Sequence, residues 1–424
     1  MSLLIKNGKI LIGEELIEKN ILITDSIIKE ITNESITVDK VIDASGKIIL
    51  PGIIDPHVHF REPGLTQKED FFTGSKAAAA GGVTTVLDMP NTKPATTTVE
   101  LLEQKREIAK KSIVNYGFHF GSTIDNFGEI KKAKNIASVK VFMDATTGDM
   151  LIKDEEVLEK IFSSYKLITV HAENDNIAKA IELIKKIKNK IYFCHVSAAN
   201  ELKMIKSKFK SKVFVEATPH HLFLTKENET SNFFKMKPCL KSKEDQQALW
   251  EAIKKNKVNT IGSDHAPHTK EEKQQEVYGV PGVETTLPLL LDAVNKNKIK
   301  LQKVIELCCY NPAKIFRIKN KGFLQEGFDA DLTIVDMNLE KEVKNENLFT
   351  KCKWSPFNGW KLKGWPIMTI VNGQIVFEEG KINDIKAKEV IYEKESPFKK
   401  KKEVKEETKD INMEEDNNED KVVE

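Results

Sequence analysis

At 424 residues and 40% hydrophobic content the chain is long enough for one large domain plus a smaller one, and apolar enough to build a core. Lys+Arg 66 against Asp+Glu 64 leaves a formal net charge of +2, so no global field points to nucleic acid or a membrane surface, and any small-molecule substrate must be recognised locally. Five cysteines without a paired spacing read as reduced thiols of a cytoplasmic protein, "MSLLIKNGKI" lacks the apolar stretch of a signal peptide, and no apolar run is long enough to span a bilayer.

Residues 1–50 read as short strands with turns: "LLIKNGKIL", "NILITDSIIKEI" and "VIDASGKIIL", each bounded by Gly, Asn or Asp. From 51 to about 320, apolar strands alternate with amphipathic helices. The strands are "PGIIDPHVHF", "GVTTVLDMP", "VNYGFHFGS", "SVKVFMD", "LITVHAE", "IYFCHVS", "VFVEATPHH" and "VNTIGSDHAPH". That alternation predicts an α/β fold, a (β/α)8 TIM-type barrel over 51–320. Residues 321–390 return to strands and turns, and are expected to join residues 1–50 in a small β-sandwich domain built from both chain ends. Residues 391–424 are almost wholly charged and are expected to form a disordered tail.

The strand ends carry the chemistry, which is where a barrel places its active site. His57 and His59 are two apart on one strand, so both imidazoles face the same side. A lone His-x-His could equally be two polar residues at a strand end. Lys140, flanked by Val139, Val141 and Phe142, sits where an unpaired ammonium is costly. Its plain reading is a lysine whose head reaches solvent. The functional one is a lysine carbamylated by CO2 that bridges two metal ions, with Asp144 as the competing bridge.

His171 and His195 each end an apolar strand in the same way, and Asp264 in "GSDHAPH" adds a carboxylate. Singly, each histidine could be a satisfied core residue. Jointly, imidazoles plus a carboxylate suit Zn2+ or a related divalent ion, and a bridging anion allows two. The chemistry this implies is hydrolysis or its reverse. His119, His220 and His221 are expected to pack or to bond in support of the site rather than to ligate.

These motifs resemble the amidohydrolase superfamily and, within it, the dihydroorotase family, over residues 1 to about 380. In "HVHFR", "DMPNTKP" and "SDHAPH", the positions Arg61, Asn91 and His268 match those that hold the substrate carboxylate in that family. Gly282 in "VYGVPGVETTLPLL" matches a backbone position close to the ligand. Allantoinases and dihydropyrimidinases lack the arginine, and their substrates carry no carboxylate at that place.

The resemblance implies a zinc site with two ions per subunit, held by His57, His59, Lys140, His171, His195 and Asp264. It also implies reversible closure of N-carbamoyl-L-aspartate to L-dihydroorotate in pyrimidine biosynthesis, with Asp264 as the catalytic group that takes the proton of the attacking water and passes it to the leaving nitrogen. A homo-oligomer is expected, with aspartate transcarbamoylase as a candidate partner. The rivals are another cyclic amidase, such as an allantoinase or hydantoinase, and a non-catalytic scaffold for that transcarbamoylase. Two features depart from the family pattern. The segment between His171 and His195 is short and Lys-rich, and "KMKPCLK" places Lys237, Cys239 and Lys241 where the family has Asn, Pro and Arg.

Overall fold

Short runs rich in β-branched residues and buried on both faces form parallel strands, because such strands need helices over both sides of the sheet. The computed structural model describes residues 2–145, 150–187, 189–205 and 212–393. In chain order the barrel strands are Ile53–Val58, Val83–Asp88, Asn115–Phe118 continued by Phe120–Gly121, Val139–Phe142, Leu167–His171, Lys190–Phe193, Val213–Ala217 and Thr260–Ile261. Each pairs with the next in parallel register, from Thr85 opposite Asn115 to Glu216 opposite Thr260. The ring closes where Val58 bridges His265 and the His59 N–H donates to the His265 carbonyl at 2.8 Å. This is the expected (β/α)8 barrel.

The helices on its outside begin with side-chain caps. Asp70 accepts from the Phe72 and Thr73 amides at the start of Phe71–Ala80, and Ser242 with Asp245 closes a capping box on Lys243–Lys254. The third strand breaks at His119, whose ring bonds Ser138 Oγ at 2.7 Å and the Pro56 carbonyl at 3.0 Å. His119 is thus a satisfied core residue, as expected.

Strands from both chain ends form one nine-stranded mixed sheet, in which Leu332–Val335 runs antiparallel to Ile48–Pro51. "NILITDSIIKEI" folds as a hairpin: Glu15–Thr24 and Ile27–Thr32 turn at Asp25 and Ser26, with φ of 52° and 68°. Two successive positive φ values make the tight turn that matches strand twist. A buried knot joins sheet to barrel, where Asp331 accepts from Asn115 Nδ2 at 2.9 Å, Lys321 Nζ at 2.6 Å and the Asn372 amide at 2.7 Å.

Residues 388–390 do not return to the sheet but lie along the third barrel strand, with Val390 N–H donating to the Tyr116 carbonyl at 2.8 Å. The charged tail from residue 394 lies outside the described residues. Among those described, no helix is long and apolar enough to cross a membrane, and all five cysteines are free thiols.

Candidate active site

The barrel brings the six expected metal-site residues to its mouth or just beneath it, all of them buried except His59, which is half-buried. His57 and His59 leave the first strand on one side, with ring centroids 5.3 Å apart. Both turn Nε2 toward the same carboxylate oxygen, Asp264 Oδ1, at 3.3 and 3.1 Å. Their other nitrogens are spoken for. His57 Nδ1 bonds Glu216 Oε1 at 2.7 Å and His59 Nδ1 bonds Asn91 Oδ1 at 2.8 Å, which fixes ring orientation and frees Nε2 for a ligand.

His171 and His195 meet edge to face, with Nδ1 of the first 2.8 Å from Nε2 of the second, and His195 lies 5.4 Å from His57 by ring centroid. His171 Nε2 and His195 Nδ1 are buried without a hydrogen-bond partner among the described residues. Orphaned imidazole nitrogens beside a histidine–carboxylate cluster are the donor set a divalent ion requires. The His57, His59 and Asp264 ligand atoms all lie within 4.8 Å of one another. The residues present therefore fit a metal site.

Electrostatics points the same way. Burial alone would raise the Asp264 carboxyl, but His57 and His59 beside it hold it well below the usual range, so it is ionised at neutral pH. Burial holds His59 and His171 neutral, each pushed down to about 3 despite the nearby Asp264 carboxylate. His57 is the exception: burial disfavours its charge, but Glu216 and Asp264 on either side raise it. Arg61 at φ 64°, His195 at 35° and Asp264 at 45° all take left-handed backbone that such side chains rarely adopt. Strain at three site residues is what a fold tolerates where geometry matters for function.

Lys140 is buried within its strand, and its Nζ has Cys194 Sγ as hydrogen-bond partner at 2.9 Å, with the Phe142 ring 5.1 Å away. Its head does not reach solvent. Asp144 does not compete for the same position: its oxygens accept from the Glu173 amide at 2.7 Å and the Asn176 amide group at 2.8 Å. It ties down the loop beyond the fifth strand.

Beside this cluster lies a basic recess. Arg61 Nη2 stands 3.3 Å from His268 Nε2, while Arg61 Nε donates to the Pro267 carbonyl at 3.1 Å. Arg61 is buried, and burial pulls its guanidinium down to about 10. Asn91 reaches this region through its bond to His59. Gly282 stands against the eighth-strand exit, where a Cβ would come 2.9 Å from the Ser263 carbonyl, and its amide donates to His265 Nδ1 at 3.2 Å.

Sequence reasoning missed Glu216. It is fully buried and accepts from His57, from the His195 amide at 2.9 Å and from Tyr192 OH at 2.7 Å. The signal was present: "VFVEA" sets a charge near the end of an apolar strand, as the histidine strands do. His221 is satisfied by Thr218 Oγ1 and the Pro238 carbonyl, as expected, whereas His220 keeps a buried Nε2 without a hydrogen-bond partner among the described residues.

A strained strand-end cluster of histidines and a carboxylate at the mouth of a (β/α)8 barrel defines a metal-dependent hydrolase class. Residues 48–376 match the Amidohydrolase family, and the chain belongs to it. Its relatives include dihydroorotases. The chain is 41% identical over 394 residues to dihydroorotase of Pyrococcus furiosus, covering 88% of this chain and 92% of that one. It is 37% identical to that of Methanosphaera stadtmanae, covering 86% and 94%. Among solved structures it resembles the L-hydantoinase of Arthrobacter aurescens, with TM-score 0.87, 28% identity and coverage of 92% and 99%. Dihydropyrimidinase of Brevibacillus agri is similar, with TM-score 0.85, 26% identity and coverage of 93% and 100%. The chain is a metal-dependent cyclic amide hydrolase.

Proposed function

We propose that the chain is a dihydroorotase that interconverts N-carbamoyl-L-aspartate and L-dihydroorotate. The observation that carries this reading is the convergence of Arg61 and His268 beside the metal cluster. A guanidinium nitrogen and an imidazole nitrogen 3.3 Å apart, with the guanidinium free to bind in a fork, suit a carboxylate on the substrate ring. Neutral hydantoin or dihydrouracil rings would leave that cation buried and unpaired.

His57, His59, His171, His195 and Asp264 would hold two divalent ions, with zinc the metal their donors suit. Such ions supply Lewis acidity toward a carbonyl oxygen and lower the pKa of water. Asp264, ionised and facing both first-strand histidines, takes the proton of the attacking water and delivers it to the ring nitrogen as the amide bond breaks. In the reverse direction it removes the ureido proton as the ring closes and water leaves. Arg61 and His268 anchor the carboxylate so that the reacting carbonyl meets the cluster in one orientation.

Lys140 is read as the carbamylated bridge. A buried ammonium whose hydrogen-bond partner is a thiol is poorly compensated, and conversion to a carbamate would turn it into the anionic ligand the cluster wants. Growth on 13C-labelled bicarbonate should give a carbamate carbon resonance that Lys140→Met removes. The reading also places the enzyme in the cytoplasm, in pyrimidine biosynthesis, as a homo-oligomer that associates with aspartate transcarbamoylase. Light scattering and co-purification test the last two points.

The test of the activity is hydrolysis of L-dihydroorotate by the purified protein, before and after chelation and zinc repletion, with allantoin and dihydrouracil as controls. Chelator-sensitive activity on dihydroorotate alone supports the reading. Preference for a neutral ring would instead favour the hydantoinase reading suggested by the solved structures.

A further inference from the structure

Lys68 lies on the loop after the first barrel strand, with its side chain buried and outside the metal cluster. Its Nζ is 3.1 Å from His268 Nδ1 and 3.3 Å from Glu272 Oε1. Across the same ring, His268 Nε2 is 3.0 Å from the Tyr278 carbonyl oxygen and 3.3 Å from Arg61 Nη2. The nearer group decides at each nitrogen: the Tyr278 carbonyl, which only accepts, is closer to Nε2 than the Arg61 guanidinium, which only donates, and the Lys68 ammonium, which only donates, is closer to Nδ1 than the Glu272 carboxylate, so the proton is assigned to Nε2 and the lone pair to Nδ1. Glu272 Oε2 also approaches Nδ1, at 3.2 Å, but the same oxygen accepts from the Thr269 amide. Without the Lys68 ammonium, the Glu272 carboxylate would be left beside Nδ1 and would draw the proton to it.

We infer that Lys68 is a positioning residue of the anion recess. It holds His268 in the Nε2–H form beside Arg61, and it keeps the recess one positive charge in excess, since Arg61 and Lys68 there face Glu272. The inference rests on the dihydroorotase reading for the identity of the ring, and deepens it by naming a further determinant of selectivity for a carboxylate. Burial, then the charges of Arg61 and Lys68, push His268 down to about 2, in keeping with a neutral ring. A carboxylate entering the recess then meets donors already oriented, and less ordering remains for binding to supply.

The experiment uses the full-length, metal-loaded enzyme with Lys68→Met and Lys68→Arg. In Lys68→Met, KM for L-dihydroorotate should rise by about tenfold while kcat changes far less, because a charge-assisted contact to the bound anion is weakened and the reacting groups are untouched. Metal content should stay at the wild-type level, and Lys68→Arg should recover most of the loss. Histidine 15N spectra, with the His268 signal assigned from His268→Asn, should show Nε2 protonated in the wild type and the proton shifted toward Nδ1 in Lys68→Met. A folded Lys68→Met protein with unchanged KM and an unchanged His268 spectrum would overturn the inference. If Lys68→Met does not fold, the same measurements on Lys68→Gln decide it. Failure of the wild type to turn over dihydroorotate would sink the functional reading alone, because the tautomer comparison uses no substrate.

Discussion

The metal cluster and the anion recess share one barrel mouth but are built by different means. The cluster comes mainly from strand ends: His57, His171 and Glu216 are residues of barrel strands, and His59, His195 and Asp264 follow within a few positions. Its side chains are aimed by strand geometry and locked by partners such as Glu216 and Asn91. The recess comes from loops. Arg61 and Lys68 follow the first strand, His268, Glu272 and Tyr278 follow the eighth, and Trp354 from the C-terminal half of the chain donates its indole N–H to the His268 carbonyl at 2.7 Å. On the proposed function, strand ends would fix where bonds break and loops would decide which ring is offered, a division that lets one barrel serve many cyclic amides.

Substitutions in the two regions should therefore fail in different ways. The largest effect is expected from Asp264→Asn, which removes the proton carrier and should lower kcat by about 10³-fold or more. Its check is single-turnover hydrolysis of dihydroorotate. Next, Arg61→Met should cut kcat/KM for dihydroorotate by about 10²-fold with metal content intact, since the buried charge-assisted pair is lost while the cluster is not. Metal analysis alongside steady-state kinetics separates the two regions, and loss of metal in Arg61→Met would erase the distinction drawn here.

Glu216→Gln acts on the cluster from behind. It keeps the shape but weakens the orientation of His57, and about a 10- to 100-fold loss in metal affinity or activity is expected, read by titration with a competing chelator. The smallest catalytic effect belongs to Asp331→Ala in the knot between sheet and barrel. Removing one of the two carboxylates that pair with buried Lys321, with Asp329 remaining at 2.9 Å, should cost about 1–3 kcal/mol of stability. Denaturant titration measures that loss, and kcat/KM at low temperature should be nearly unchanged.

The same contrast explains what was legible in the sequence. Apolar runs ending in His or Asp, and a lysine set inside one, revealed both the barrel and the cluster, because a buried strand has little reason to carry such groups unless they are used. Glu216 carried the same signal and was passed over. The recess was legible only through resemblance: Arg61 and His268 stood in recognisable motifs, but Lys68, Glu272 and Tyr278 meet through loop conformations that no periodicity encodes. The broken third strand was hidden for a similar reason, since His119 turns on two partners, Ser138 and Pro56, far from it in sequence. The hairpin at Asp25 and Ser26 could have been read from its turn residues.

The most direct test of a metal cluster paired with a carboxylate-selecting recess is one ratio, measured at equal metal content: kcat/KM for L-dihydroorotate over that for dihydrouracil, in the wild type and in Arg61→Met. A ratio that strongly favours dihydroorotate in the wild type and collapses by about 10²-fold in the variant is the predicted result. A ratio that Arg61→Met leaves unchanged would show that this recess does not choose the substrate.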